Sequence, residues 1–557
     1  MNNVIFKCRH CGSDIARDTV FCANCGKNVR EEPANQSFDR MTVRTNNPPP
    51  PNNYYSNETP RDSYIPASQP PVKNNQAGPL DLLKKHLKLV IAAAAALVVL
   101  VIAIVVIATV ASGSKYLEVK ASLFIDQFDD VIHIRTGSVK AKIDGTTSGS
   151  KTSMDGTKAV ITVKGDGGDE LWYFDGKKAT KIDDAIYSFK FAASGNGIAY
   201  TKEMDIEEGT VELWLFTGSG KGQKITAALK LSGGKYCISP NGKTVGYTAE
   251  KKENSYGCFW DGKEKEIGKN KTPVAIADGG KFVYYEDSNG SLFVQKGVKD
   301  DNKNKLASGD NGYSGLRFNK DLSQVVLNSD GKCYISRNGG EKKQIASHEI
   351  SSFITPADTQ SSGNIYGIGS FANTFYNANS NKSVMYINNK FESNSVVKNA
   401  DMSYLASDGS TLLYLKNDKV YKVNGRASNA SESAVELVKK SDDDISGFGM
   451  IKNGSAIYFV NTDGVLYYQK GTGKPVKVTD DFDGGDYFNK ANKLFYIYED
   501  ELYVSSGGKG KKVPSIEGDV NGVTATAHYV LVTASDGNET YYYISANGAK
   551  FELIGTK

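Results

Sequence analysis

A mainly β chain assembled from a recurring unit is what this sequence predicts, and three observations predict it. Fifty-six glycines and 31 tyrosines stand beside seven methionines and three tryptophans, a balance that suits aromatic pleated strands joined by tight turns. Asn-Gly and Asp-Gly pairs recur between apolar-aromatic runs, as at Asn241-Gly242, Asp330-Gly331 and Asp463-Gly464, and these dipeptides accept the positive φ that hairpin turns require. Runs such as Lys281 to Glu286 and Leu494 to Glu499 are too short for helices of this composition, and no helical period competes after residue 116.

Size and composition bound the rest. At 557 residues the chain exceeds what one core organises, so several domains, or one large repetitive domain with attachments, are expected. Hydrophobic residues at 39% and charged residues at 23% exclude a wholly disordered, collagen-like or polytopic membrane chain. With 67 Lys+Arg against 63 Asp+Glu, global charge gives no reason to expect a nucleic-acid partner.

Residues 1–30 carry the strongest local signal. Four of the seven cysteines, Cys8, Cys11, Cys22 and Cys25, form two C-x2-C pairs separated by ten residues. A two-residue spacer lets both thiolates of a knuckle reach one Zn²⁺ at about 2.3 Å. Four sulfurs close the tetrahedron and leave no position for water or substrate, so the metal is expected to be structural. Gly12 and Gly26 follow the second cysteine of each pair, where the backbone must turn close to sulfur. The stretch from Phe6 to Val29 resembles the short zinc-ribbon modules at the amino terminus of many bacterial membrane proteins. That resemblance implies the four cysteines as ligands; with Arg17 the one basic residue between the pairs, a protein-contact role with a cytoplasmic partner, or a folding-tag role, is expected in place of nucleic-acid readout.

Residues 31–84 lose apolar periodicity and gain Asn, Pro, Ser and Gln, including the run Pro48 to Pro51; such a segment buries too little surface to offset chain entropy and reads as a tether. Residues 85–111 follow as a transmembrane helix. From Leu89 to Ala111 there is no charge in 23 positions, about 35 Å of helix against a hydrocarbon core of about 30 Å. Lys84, Lys85 and Lys88 crowd the preceding flank, which places the amino terminus in the cytoplasm and the carboxy-terminal region outside a single-pass cell-membrane anchor. A four-thiolate site agrees, since a reducing compartment preserves it. Cys237, Cys258 and Cys333 are an odd, dispersed set, read as buried free thiols, with one disulfide among them left open.

After a juxtamembrane segment and first strands over 112–150, a unit recurs every 42 residues or about that through 151–557. Its clearest copy runs from Ile238 to Ile267, and others begin at Thr152, Ile276, Phe318, Ile451 and Phe488. Weaker copies start near Ala192, Asp401 and Thr524, with an irregular one between Phe353 and Val397. A four-stranded unit cannot protect its own faces, so copies packed radially as a β-propeller are expected, with seven to ten blades in one ring or two smaller rings. A solenoid is the alternative. The turn Ser239-Pro240-Asn241-Gly242-Lys243 and the strand after it resemble the S-P-D-G-K unit of TolB-type and WD-like propellers.

No catalytic motif accompanies the repeats. The outer region holds three histidines, His133, His348 and His528, and no G-x-S-x-G, H-E-x-x-H or G-x-x-x-x-G-K-[ST]. Asp442 to Asp444, and Asp480, Asp481, Asp483 and Asp486, are oxygen-rich enough for Ca²⁺ but lack its loop spacing, and read as solvated turns. The expected function is therefore a non-enzymatic binding or scaffolding module for protein, peptide or glycan. The alternatives are a cell-surface enzyme with carboxylates at the channel mouth, and a sensor that works by clustering.

Overall fold

The computed structural model describes residues 5–7, 14–16 and 116–557, apart from 206–209, 231–234, 252–253, 299–301, 311, 357–358, 360, 379–382, 407–408, 425–433, 439–443 and 452–453. The chain separates into two compact units, 46–115 in one and 1–45 with 116–557 in the other. The described residues are strands and turns, with short 3-10 segments such as Asp278–Gly280 and Asn489–Ala491.

From residue 124 onward the strands form eleven successive antiparallel meanders, numbered here along the chain. Meander 1 has three strands, Phe124–Phe128, Val131–Thr136 and Val139–Asp144. Meanders 2, 3 and 4 lie within 147–269 and share one 11-stranded sheet. The join between 2 and 3 is the strand Ala179–Phe191, which pairs with Asp169–Phe174 through its first half and with Ile198–Asp205 through its second. Meanders 5 to 11 span 272–307, 314–346, 350–397, 402–438, 445–479, 484–512 and 519–556, each with four strands in sequence order. The repeat reading is thus sustained at every copy, and the count exceeds the upper expectation by one. The extra unit is meander 1, which lies in the 112–150 stretch expected to hold only a juxtamembrane segment and first strands.

Local chemistry sets these turns. Asp129-Asp130, Asn417-Asp418, Glu499-Asp500 and Asp330-Gly331 each put two successive residues at positive φ, the two-residue hairpin geometry that matches strand twist. Asn241-Gly242 and Asp463-Gly464 sit in longer connections, where the glycine takes positive φ.

A second turn recurs between the first and second strands of meanders 2 to 6. One backbone bond closes it each time: Ser153 N–H to the Lys158 carbonyl, Ala192 to Gly197, Ser239 to Thr244, Ala277 to Phe282 and Asn319 to Gln324. In the Ser-x-Asx-Gly copies the buried Ser239 hydroxyl accepts the Thr244 N–H (3.0 Å) and donates to Asn241 Oδ1 (2.9 Å), which also takes the Lys243 N–H (2.9 Å). Ser153, Asp155 and Thr157 repeat the pattern.

Each meander packs its apolar face on the next. Ile132, Ile134 and Ile143 of meander 1 meet Ala159, Ile161 and Phe174 of meander 2; further clusters continue between neighbours to meander 11. Phe124 and Phe128 of meander 1 then pack with Tyr529 and Ile554 of meander 11. Among the described residues the circuit of sheet contacts is therefore closed, a propeller-like arrangement. At this seam Glu552 takes both Arg135 (3.3 Å) and Lys140 (2.5 Å), and Lys557 reaches Asp126 (2.5 Å).

The irregular stretch expected between Phe353 and Val397 is a complete meander with an insertion. Between the strands Ile350–Ile354 and Thr374–Ala378, a small hairpin, Ser361–Ser362 with Ile365–Tyr366, leaves meander 7 and joins the first strand of meander 6 in parallel. The Phe318 N–H donates to the Asn364 carbonyl at 2.7 Å.

At the amino terminus Ile5–Lys7 pairs antiparallel with Asp14–Ala16. All four expected zinc ligands, the tether and the expected span lie outside the described residues. Among the described residues no helix is long and apolar enough to cross a membrane.

Candidate functional site

The first strands of meanders 2 to 6 share one register through the recurrent turn bond. Two residues before its donor stand Lys151, Lys190, Cys237, Ala275 and Arg317. Beside these strands lies a cavity of about 630 Å³, lined by Lys151, Lys190, Tyr236, Phe318 and the inserted hairpin from Ser361 to Ile365, among others. The hairpin thus does more than extend a sheet: it forms one wall of the cavity.

The lining has one sign of charge. Lys151 and Lys190 are its charged residues, and none of the described residues lining it is acidic. Around them are the hydroxyls of Ser150, Thr152, Ser361 and Ser362 over an apolar floor that includes Phe191 and Val274. The Lys151 ammonium lies 5.5 Å from the Phe189 ring centroid, a cation–π contact that holds the stem without neutralising the charge. Tyr236 shares a 2.7 Å hydrogen bond with Ser188, and burial pushes its phenol up to about 12. Burial likewise pushes the Cys237 thiol up to about 12; a thiol protonated at neutral pH is a poor nucleophile. The site can hold an anion and hydrogen-bond a polar chain, and it presents no activated nucleophile.

A second cavity of about 410 Å³ lies at the seam, with Arg135, Lys140 and Lys550 around Glu552. There the carboxylate already engages two of the cations.

The remaining candidates have structural partners. His348 Nε2 bonds the Tyr376 hydroxyl at 3.0 Å, and burial lowers its pKa. His133 packs edge-on against Phe128 at 5.4 Å, and His528 lies 3.4 Å from the Val119 carbonyl. Cys237, Cys258 and Cys333 are free thiols. In the second acidic group Asp480 pairs with Lys477 (3.0 Å), while the buried Asp486 accepts the Tyr487 N–H (2.8 Å) and the Ala525 N–H (2.9 Å), tying meander 10 to meander 11. Asp483 is raised by burial, then by Asp481 and Asp500. Asp442 and Asp443 lie outside the described residues.

Among solved structures, the chain is similar to the tricorn protease, at 10% identity over 79% of this chain and 58% of that one, with a TM-score of 0.29. It therefore spans just under three-fifths of that protein's length. It is also similar to a eukaryotic initiation factor, at 9% identity over 65% of this chain and 97% of that one (TM-score 0.38). A third likeness is to a protein described as TolB from Agrobacterium tumefaciens, at 15% identity over 38% and 83% (TM-score 0.26). No family model matches the sequence, and no curated protein does. Likenesses this distant transfer no activity, and the propeller-like description stands on the order and packing of the sheets themselves.

Sequence reasoning missed Lys151, Lys190 and the hairpin. Only the structure aligns them: the recurrent turn bond opens at Ser153 in one copy and at Ala192 in the next, and the second copy lacks the Ser-x-Asx-Gly motif that marks the first. The hairpin's destination had no such mark, because a single parallel pairing leaves no periodic pattern.

Proposed function

We propose that this protein is a single-pass, membrane-anchored binding or scaffolding protein, with a cytoplasmic zinc ribbon and an outer propeller that holds a ligand without turning it over. The observation that carries the reading is the cavity of meanders 2 to 6. It is preformed, walled by an inserted hairpin, charged through two lysines, and bordered by a thiol that burial keeps protonated. Carboxylate pairs are what glycan hydrolysis requires, and among the described lining residues there are none.

The ribbon belongs to the same reading. Cys8, Cys11, Cys22 and Cys25 would hold Zn²⁺ as a closed structural centre, and the pairing of Ile5–Lys7 with Asp14–Ala16 supports a knuckle around the first two. The uncharged run from Leu89 to Ala111 supplies the anchor, and the lysines before it favour a cytoplasmic amino terminus. Incubating the full chain in detergent with cell-wall fragments and surface proteins, alongside a broad hydrolase screen, tests the function. Retention without turnover is expected; turnover abolished by one carboxylate substitution would overturn it.

A further inference from the structure

The cavity's chemistry narrows the ligand, and the argument rests on the binding reading above. In meanders 2 to 4, several lysines are neutralised by neighbouring carboxylates: Lys181 by Glu170 (2.7 Å), Lys202 by Asp183 (2.9 Å) and Lys251 by Glu264 (2.6 Å), with Lys224 held by Glu212. Lys151 and Lys190 depart from that pattern. Both sit on first strands, at the same register position of adjacent meanders, and among the described residues neither has a carboxylate partner.

Two like charges lining one cavity repel each other, and among the described lining residues no carboxylate offsets this. An oxyanion entering the cavity would. Ammonium groups are compact, rotatable donors suited to phosphate or carboxylate alike. The hairpin wall offers Ser361, Ser362 and Asn364, and Ser150 and Thr152 flank Lys151 in sequence. These groups exchange hydrogen bonds with hydroxyls, while Phe191, Val274 and Phe318 provide a surface for C–H groups.

We infer that this cavity binds a polyhydroxylated chain bearing oxyanions, with Lys151 and Lys190 engaging its charges and the hairpin from Ser361 to Asn364 its hydroxyls. Two sources share that chemistry, a phosphodiester-linked polyol and a carboxylated polysaccharide, and the test separates them.

Full-length protein in detergent is titrated with poly(glycerol phosphate), with polygalacturonate and with neutral dextran, at low and high salt. At least one anionic polymer is expected to bind, with affinity that falls as salt rises, and dextran is not. Whichever anionic polymer binds identifies the source. Lys151→Gln with Lys190→Gln is expected to weaken binding by about tenfold or more, whereas Lys151→Arg with Lys190→Arg preserves most of it. Both side chains are exposed, so unchanged melting of the glutamine variant serves as the folding control. The inference is overturned if neither anionic polymer binds, or if the glutamine variant binds as the unaltered protein does. Retention of dextran or a peptide with no lysine dependence would leave the binding function standing and remove the anion. Cleavage of a bound polymer would instead remove the binding function.

Discussion

Ser239 shows how much one buried hydroxyl can specify. It accepts the Thr244 N–H and orients Asn241, so Ser239→Ala leaves a buried donor without its acceptor, a loss of about 1–3 kcal/mol that a urea midpoint would report. Gly197 is under tighter constraint, since a Cβ there would lie 2.2 Å from the Gly242 carbonyl oxygen. Gly197→Ala should therefore cost more than Ser239→Ala in the same measurement. The cysteines offer an independent check. Burial pushes Cys237 and Cys333 up to about 12 and Cys258 up to about 11, so iodoacetamide at pH 8 should leave all three unlabelled in the native protein and label them in denaturant. At this scale the turn around Asn241 was legible, because Ser, Asx and Gly have mechanisms that depend on neighbours in sequence. Lys151 and Lys190 were not, because a lysine in a strand reads as a solvated side chain until the fold shows which strands line a cavity.

Elements show where local rules are overridden. The strand Ala179–Phe191 serves two meanders by bending at Ala185, which takes φ 53°. A left-handed conformation costs an L-residue roughly 1–2 kcal/mol, so Ala185→Gly is expected to raise stability modestly and Ala185→Val to lower it, again by denaturant midpoint. The two-residue hairpins were only partly legible. Asp330-Gly331 announces itself, whereas Asp129-Asp130 and Glu499-Asp500 adopt the same conformation without glycine, driven by the register of the flanking strands. The proposed ribbon would obey the opposite logic, since so short a segment would gain its folding energy from metal. One equivalent of zinc per chain is expected, and chelation should collapse the amide signals of residues 5–25 while leaving those of 116–557 in place.

For the whole region from 116 to 557, the periodicity led to an expected ring, but which units close it is the feature that periodicity could not supply. Repeats report that units stack, and the first and last copies carry no mark that they meet. Contacts of Phe124 and Phe128 with Tyr529 and Ile554 make the ends neighbours, and Glu552 reinforces them. Its carboxyl is held below the usual range by the Lys140 hydrogen bond first, against some opposition from burial, and then by Arg135. A depressed carboxylate contributes stability that is complete above its unfolded value near 4.5 and is lost as pH falls through the lower folded value. The unaltered protein should therefore lose thermal stability below about pH 4.5 more steeply than Glu552→Gln, which has no such proton to take up.

The account stands most directly on which compartment each end occupies. Protease added to intact cells carrying the full chain, tagged at both ends, reads this in one blot. The carboxy-terminal tag should become accessible while the ribbon's tag stays protected until the membrane is permeabilised. Protection of the carboxy-terminal tag with cleavage at the amino terminus would contradict the account.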